Sequence, residues 1–189
     1  GTLLSRSTTS PTRALAKSRK TSFSSLPSPR LERGSAREDE RSSLTPQGFS
    51  VGGSAFFSGI TAKKLGSKVK ILSSFSSDIE KEKVLKQFDI FRIPSRTTTT
   101  FENVYRKGKR RQYLYQIASR IRPKHLPENW RNCSIVQLAP LAREVDENIV
   151  FSFPDSLIGA NLQGWLRKRD KNNLVSFSFW KDYKKFLPK

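Results

Sequence analysis

The stretch Gly52-Gly53-Ser54-Ala55-Phe56-Phe57-Ser58-Gly59-Ile60-Thr61-Ala62-Lys63-Lys64-Leu65-Gly66 sets paired glycines ahead of a helical pattern and a single glycine behind it. Paired glycines permit backbone angles closed to other residues and let a ligand or a strand come close to the chain. Ala55, Gly59 and Ala62 then fall at i, i+4 and i+7, a thin face that can lie tight against a sheet. Leu65-Gly66 reads as a helix stop with a left-handed cap, and the apolar run 69–75 behind it reads as a buried parallel strand.

At 189 residues the chain is long enough for one domain with a core of its own. Its charge balance is unusual. The 36 Lys and Arg outnumber 16 Asp and Glu, for a formal charge of +20. Such a surplus repels itself in a compact fold and points to a polyanionic neighbour, such as RNA, DNA or an acidic membrane face, or to a solvated basic surface. An aromatic content of 11% argues against a wholly disordered chain.

Cys133 is the sole cysteine and His125 the sole histidine. An internal disulfide is therefore impossible, and a zinc cluster, which wants about four ligands, is not expected. His125 lies in the turn Arg122-Pro123-Lys124-His125-Leu126-Pro127 with no acid or nucleophile next to it in sequence. No apolar run approaches the ~18 residues that span a bilayer.

The sequence opens at Gly1 and holds no methionine, so an upstream stretch is expected. Residues 1–31 carry Arg6, Arg13, Lys17, Arg19, Lys20 and Arg30 among many Ser and Thr, with no acid before Glu32. That composition suits an organellar transit segment, mitochondrial or plastid, and equally a disordered basic tail. Residues 1–43 are assigned to this tail, 44–170 to the folded domain, and 171–189 to a basic aromatic C-terminal tail.

Within 44–170 strand and helix patterns alternate. Residues 48–51 lead as a strand to the Gly-Gly turn, 55–65 read as helix and 69–75 as strand. Asp78 caps a short helix 79–86, and 90–93 is a second strand. Residues 97–117 read as a β-hairpin around Lys107-Gly108-Lys109. A turn with a short helix follows at Pro123, Pro127 and Trp130. After it come a buried strand 135–138, a helix 144–151, a strand 157–160 and a turn 164–167. The pattern predicts an α/β fold, a mostly parallel sheet covered by helices with an antiparallel flap.

Gly52-Gly53-Ser54-Ala55, Leu65-Gly66, Thr97-Thr98-Thr99-Thr100-Phe101-Glu102-Asn103, Gln112-Tyr113-Leu114, Ala139-Pro140, Glu144-Val145-Asp146 and Gln163-Gly164-Trp165-Leu166-Arg167 occur in the order found in PfkB (ribokinase-like) carbohydrate kinases. Over about residues 46–170 the chain resembles the N-terminal half of that family. The resemblance implies a truncated ribokinase-like, Rossmann-like sheet. It also implies a substrate pocket lined by Gly52 and Gly53, a lid formed by the 97–117 hairpin, and phosphate transfer from ATP with magnesium.

Family members carry a catalytic aspartate in a Gly-Ala-Gly-Asp-like motif and deliver a substrate-binding acid just before the Gly-Gly turn. Neither is recognisable here: the stretch before the turn reads Glu40-Arg41-Ser42-Ser43-Leu44-Thr45, and Phe56-Phe57 stand where many relatives place an asparagine. No catalytic residue, no metal ligand and no cofactor is therefore assigned to this chain alone. ATP and Mg2+ enter only if a kinase C-terminal half completes it.

Three readings follow. In the first, a degenerate, non-catalytic domain serves as a basic subunit of an organellar ribonucleoprotein assembly, such as a ribosome or transcription complex. Arg106, Lys107, Lys109, Arg110 and Arg111 would neutralise phosphates while Tyr113 and Tyr115 stack on bases. In the second, the chain is the N-terminal fragment of an ATP-dependent carbohydrate kinase whose catalytic half is missing or separately encoded. In the third, the aromatic and lysine-rich stretch 177–187 docks on a protein or an anionic lipid surface. All three predict that the chain does not act as a lone monomer.

Overall fold

The structure is a computed structural model that describes residues 3–8 and 50–187. The expected transit-like segment, the fold start at Leu44 and the acid-poor stretch 40–45 lie outside the described residues, apart from 3–8.

Strand β1 (Leu3–Thr8) pairs antiparallel with β2 (Ser50–Gly52) and parallel with β5 (Thr99–Arg106). Strand β6 (Lys109–Gln116) closes this sheet, in the order β2-β1-β5-β6. Two parallel pairs accompany it: β3 (Lys70–Phe75) with β4 (Asp89–Pro94), and β7 (Ile135–Leu138) with β8 (Leu157–Ala160). Strands β9 (Arg167–Arg169) and β10 (Val175–Phe177) form an antiparallel pair. Helix α1 (Ser54–Lys64) bridges β2 and β3, and the short α2 (Tyr183–Phe186) ends the described chain.

Helix α1 begins and ends on glycine, as expected. Gly66 takes φ 86; its N–H bonds Lys63 O, and the Ser67 N–H reaches Ala62 O at 3.0 Å. That pairing is a Schellman closure, which a Cβ would strain. The packed face of α1 differs from the one expected. Phe56 and Gly59 are buried, whereas Ala55 and Ala62 stay half-buried. The large Phe56 ring fills a cluster with Val51, Phe75, Ile79 and Leu85, so its burial outweighs that of the two alanines. A Cβ on Gly59 would stand 3.2 Å from both Ile71 Cδ1 and Phe88 Cε1, so the helix lies close on β3 there.

Two expected helices are shorter and tighter. Residues 79–86 become turns followed by a 3-10 turn at Lys83–Gln87, and 144–151 becomes the 3-10 segment Glu147–Ser152. Asp146 sets the start of the latter: its carboxylate accepts from Asn148 N at 3.0 Å, an N-cap one turn later than the pattern suggested. Strand β7 was expected to be buried, yet Ile135 is 69% exposed. A two-stranded pair covered on one face leaves its alternate side chains to solvent.

The main core gathers Ile93, Ile121, Leu126, Leu138, Val145, Ile149, Val150, Phe153 and Trp165. Trp180 and Phe186, from the stretch set apart above as a tail, belong to the same cluster. Their rings stack at 5.7 Å, and Trp180 lies 4.7 Å from Trp165. No helix among the described residues is long and apolar enough to cross a membrane.

Candidate functional site

In open sheets with parallel strands, ligands bind outside the strands' carboxyl ends. At the carboxyl end of β3 stand Ser76, Asp78 and Thr98. The Ser76 N–H donates to Thr98 Oγ1 at 3.1 Å, and the two hydroxyl oxygens are 2.7 Å apart. Ser76 Oγ donates in turn to the Asp78 carboxylate. Each hydroxyl has one proton to give, so the chain has a direction: Thr98 donates to Ser76, and Ser76 to Asp78. Thr98 is buried and Asp78 exposed. The exposed carboxylate keeps acceptor capacity for an incoming hydroxyl.

The Gly-Gly turn lies along the same rim. Gly52 and Thr99 both register with Leu3 of β1, which places them two strand spacings, about 10 Å, apart. Gly53 has φ 96 and ψ 161 and caps α1 with no side-chain bond, and no acid sits in the first helical turn. Those angles are open almost only to glycine and cost other residues about 1–3 kcal/mol. We expect Gly53→Ala to lower the melting temperature by about 2–12 °C, read by circular dichroism; a shift below about 1 °C would mean that the turn relaxes.

The hydroxyl run behind this rim ties the hairpin base together. Thr97 Oγ1 donates to Ile117 O at 2.9 Å, Thr99 Oγ1 accepts from Ala118 N at 3.1 Å, and Ser95 Oγ accepts from Ser119 N at 2.9 Å. From the outer side the Arg169 guanidinium donates to Leu114 O and Tyr115 O at 3.3 and 3.1 Å, and the Leu114 N–H donates to Asn173 O at 2.8 Å. The base of the hairpin that the resemblance made a lid is thus held on both sides.

Beyond its base the hairpin is divided by its register. Glu102 pairs with Tyr113, Val104 with Arg111 and Arg106 with Lys109, whereas Phe101 pairs with Leu114 and Tyr105 with Arg110. Residues paired across a ladder share a face, and neighbours along a strand alternate. Arg106, Lys109, Arg111, Tyr113 and Tyr115 therefore lie on one face, and Arg110 lies on the other with Tyr105. Lys107 stands in the two-residue turn, where it takes φ 48 and Gly108 φ 73, the left-handed pair that matches strand twist. All five cations are exposed, and among the described residues none has a carboxylate within ion-pair distance.

A third polar centre sits where β7 ends. Glu144 is 2% exposed, and its carboxylate accepts from Leu141 N at 2.9 and 3.1 Å and from Ala142 N at 2.6 Å. Arg143, at φ 61, turns the backbone so that this carboxylate folds back on its own loop. The half-buried Arg167 lies over the Phe101 ring at 5.1 Å and donates to Leu141 O at 3.1 Å. Burial pushes its guanidinium down to about 10, with Arg110 adding to the shift and Glu144 opposing it. This centre fixes a loop and presents no free group.

His125 keeps to its turn, where Nδ1 accepts from Arg122 N at 3.1 Å. Burial, then Lys124 and Arg122, hold its imidazole below the ordinary value, so it is neutral at pH 7. Among the described residues no group of three or more His, Cys, Asp and Glu could hold a metal ion, and no step is assigned to magnesium or to a nucleotide. Ser76, Asp78 and Arg169 were not singled out from sequence as site or brace residues. The Thr run 97–100 was the visible signal, and it read as hairpin strand and as part of the family resemblance, not as a site.

No protein-family profile matches the sequence, and no curated protein does. Solved structures do. A pyrophosphate-dependent kinase in the ribokinase family, complexed with a pyrophosphate analog and myo-inositol, aligns with a TM-score of 0.64 at 21% identity over 74% of this chain and 50% of its own. A sulfate complex of a pyrophosphate-dependent kinase in the ribokinase family aligns with a TM-score of 0.63 at 21% identity, over 76% and 54%. The chain spans about half the length of these neighbours. Its architecture is the ribokinase-like α/β fold.

Proposed function

We propose that this chain supplies the acceptor-binding half of a ribokinase-like phosphoryl-transfer unit and transfers no phosphate by itself. The observation that supports the reading most is the Thr98, Ser76 and Asp78 relay at the carboxyl end of β3, on the rim shared with the Gly52-Gly53 turn. An exposed carboxylate held by a neighbouring hydroxyl accepts a proton donor from a polyol. The Gly52-Gly53 turn is itself buried, and it sets no side chain between its backbone and the rim. One neighbour in this fold is complexed with a pyrophosphate analog and myo-inositol, so the acceptor class proposed is a polyhydroxylated ring, a cyclitol or a sugar. Phosphoryl transfer needs positioning, charge neutralisation and a base held together. In this proposal the complementary half brings the donor, ATP or pyrophosphate, with its metal and the base.

The test is amide NMR of the full chain titrated with myo-inositol and with ribose at roughly 1–50 mM, the range in which a site worth only a few kcal/mol fills. Expected are saturable shifts at Gly53, Ser76, Asp78 and Thr98, and roughly tenfold or greater weakening in Asp78→Asn, as for a lost bond to a charged group. Shifts that are absent, or that survive Asp78→Asn unchanged, overturn the reading. So does phosphate transfer by the purified chain without a second polypeptide. A ribonucleoprotein role draws its support from the net charge of +20 and from the hairpin, whose tip stands apart from this rim.

A further inference from the structure

We infer that the face of the β5–β6 hairpin carrying Arg106, Lys109, Arg111, Tyr113 and Tyr115 binds single-stranded nucleic acid. This does not rest on the acceptor site: Tyr115 stands at the hairpin base, but the cations run out to Arg106, seven strand residues from Thr99, about 24 Å along β5.

Four observations carry the inference. The register sorts three cations and two tyrosines onto one surface, so charge and rings face the same ligand. Tyr113 and Tyr115 stand nearly parallel, at 13° with centroids 6.4 Å apart. Their spacing is close to the i to i+2 rise of a strand, about 6.8 Å, so they form two successive flat steps along β6. Glu102, the acid on this face, accepts the Tyr115 hydroxyl at 2.6 Å, which helps to orient the ring. Finally, Arg169 and Asn173 hold the base of β6, so the tyrosine end of the face is anchored.

Cations that track a backbone beside rings that take bases are the two parts of sequence-tolerant single-strand binding. A duplex would hide its base faces from the tyrosines. A lipid surface would want an apolar wedge at the tip, where Arg106, Lys107 and Lys109 stand instead.

The experiment is fluorescence anisotropy of the full chain with labelled oligouridylate and oligothymidylate of about 12 nucleotides, across a salt series. A duplex of equal length and phosphatidylserine vesicles serve as competitors. We expect tighter binding to single strands than to duplex. Equal affinity for the two oligomers assigns recognition to backbone and ring, and a preference for uridylate adds the 2′-hydroxyl. The triple variant Arg106→Gln, Lys109→Gln, Arg111→Gln should flatten the log affinity against log salt slope by about 2, three contacts at about 0.7 each. Tyr113→Ala and Tyr115→Ala should each weaken binding by roughly five- to 150-fold.

Tyr115→Phe, which keeps the ring and drops the Glu102 bond, should hold affinity within about twofold and covers the case in which an alanine variant misfolds. Arg110→Gln, on the opposite face, should leave the slope unchanged. Because the rest of the basic chain is the same in every variant, these differences report the hairpin face alone. The inference falls if no binding is seen at low salt, if Arg110→Gln costs as much as Arg111→Gln, if folded tyrosine variants bind as well as the parent, or if vesicles displace the oligomer with the same dependence on these residues.

Discussion

Gly164→Ala is expected to lower the melting temperature by about 6–12 °C or to prevent soluble folding altogether. A Cβ at this position would overlap the carbonyl carbon and oxygen of Pro140 and stand 2.5 Å from Leu141 N. These are backbone atoms, and they cannot swing away. The loop they belong to is held by the Glu144 carboxylate. The residue after Gly164 is equally fixed: Trp165 donates through Nε1 to Val145 O at 3.0 Å and packs on Trp180. Overpacking costs about 1–3 kcal/mol where side chains can adjust. With backbone on both sides the cost should be about 3 kcal/mol or more, which sets the temperature range given. Gly159→Ala is the control, since its Cβ would meet chiefly the Gln137 side-chain oxygen at 2.6 Å, the end of a flexible side chain. Thermal unfolding of both variants decides the matter. A Gly164→Ala melting point within about 2 °C of the parent would mean that the 139–144 loop yields.

The features legible in the sequence are those with a local cause. The glycine closing α1 was readable because a left-handed cap admits little else, and the hairpin because β-rich runs flank Lys107-Gly108. Where several weak preferences competed, the reading drifted. Residues 144–151 have a helical pattern, but the cap at Asp146 and the return of Glu144 to its own loop leave only a 3-10 turn. Lysines between the aromatics of 177–187 suggested a surface stretch, yet two of those rings reach the core, because tertiary burial outweighs the charge of neighbouring positions. The candidate sites were half legible. The basic cluster was visible in sequence, but its division into two faces needs the register, which the turn sets. The Ser76 and Thr98 pair joins residues 22 apart, a contact that no local pattern encodes.

Glu144→Ala should cost about 2–6 kcal/mol, set mainly by two buried backbone donors left without an acceptor at about 1–3 kcal/mol each. Two losses combine. The Leu141 and Ala142 N–H groups would lose their acceptor in a site closed to solvent, and an orphaned buried donor costs about 1–3 kcal/mol. Arg167, already depressed by burial and by Arg110, would lose the one neighbouring charge that favours its protonated form. Its value near 10 keeps it charged at neutral pH, so the penalty is present throughout the physiological range. Arg167→Met in the Glu144→Ala background removes the stranded charge while keeping apolar contact with Phe101. The double variant should therefore lose less than the sum of the single ones, a coupling of about 0.5–3 kcal/mol. It should not reach the parent, because the two backbone donors stay unpaired. Denaturant unfolding of the four proteins measures this directly. Strictly additive losses would separate Glu144 from Arg167, and a Glu144→Ala variant as stable as the parent would remove the carboxylate from the scaffold altogether.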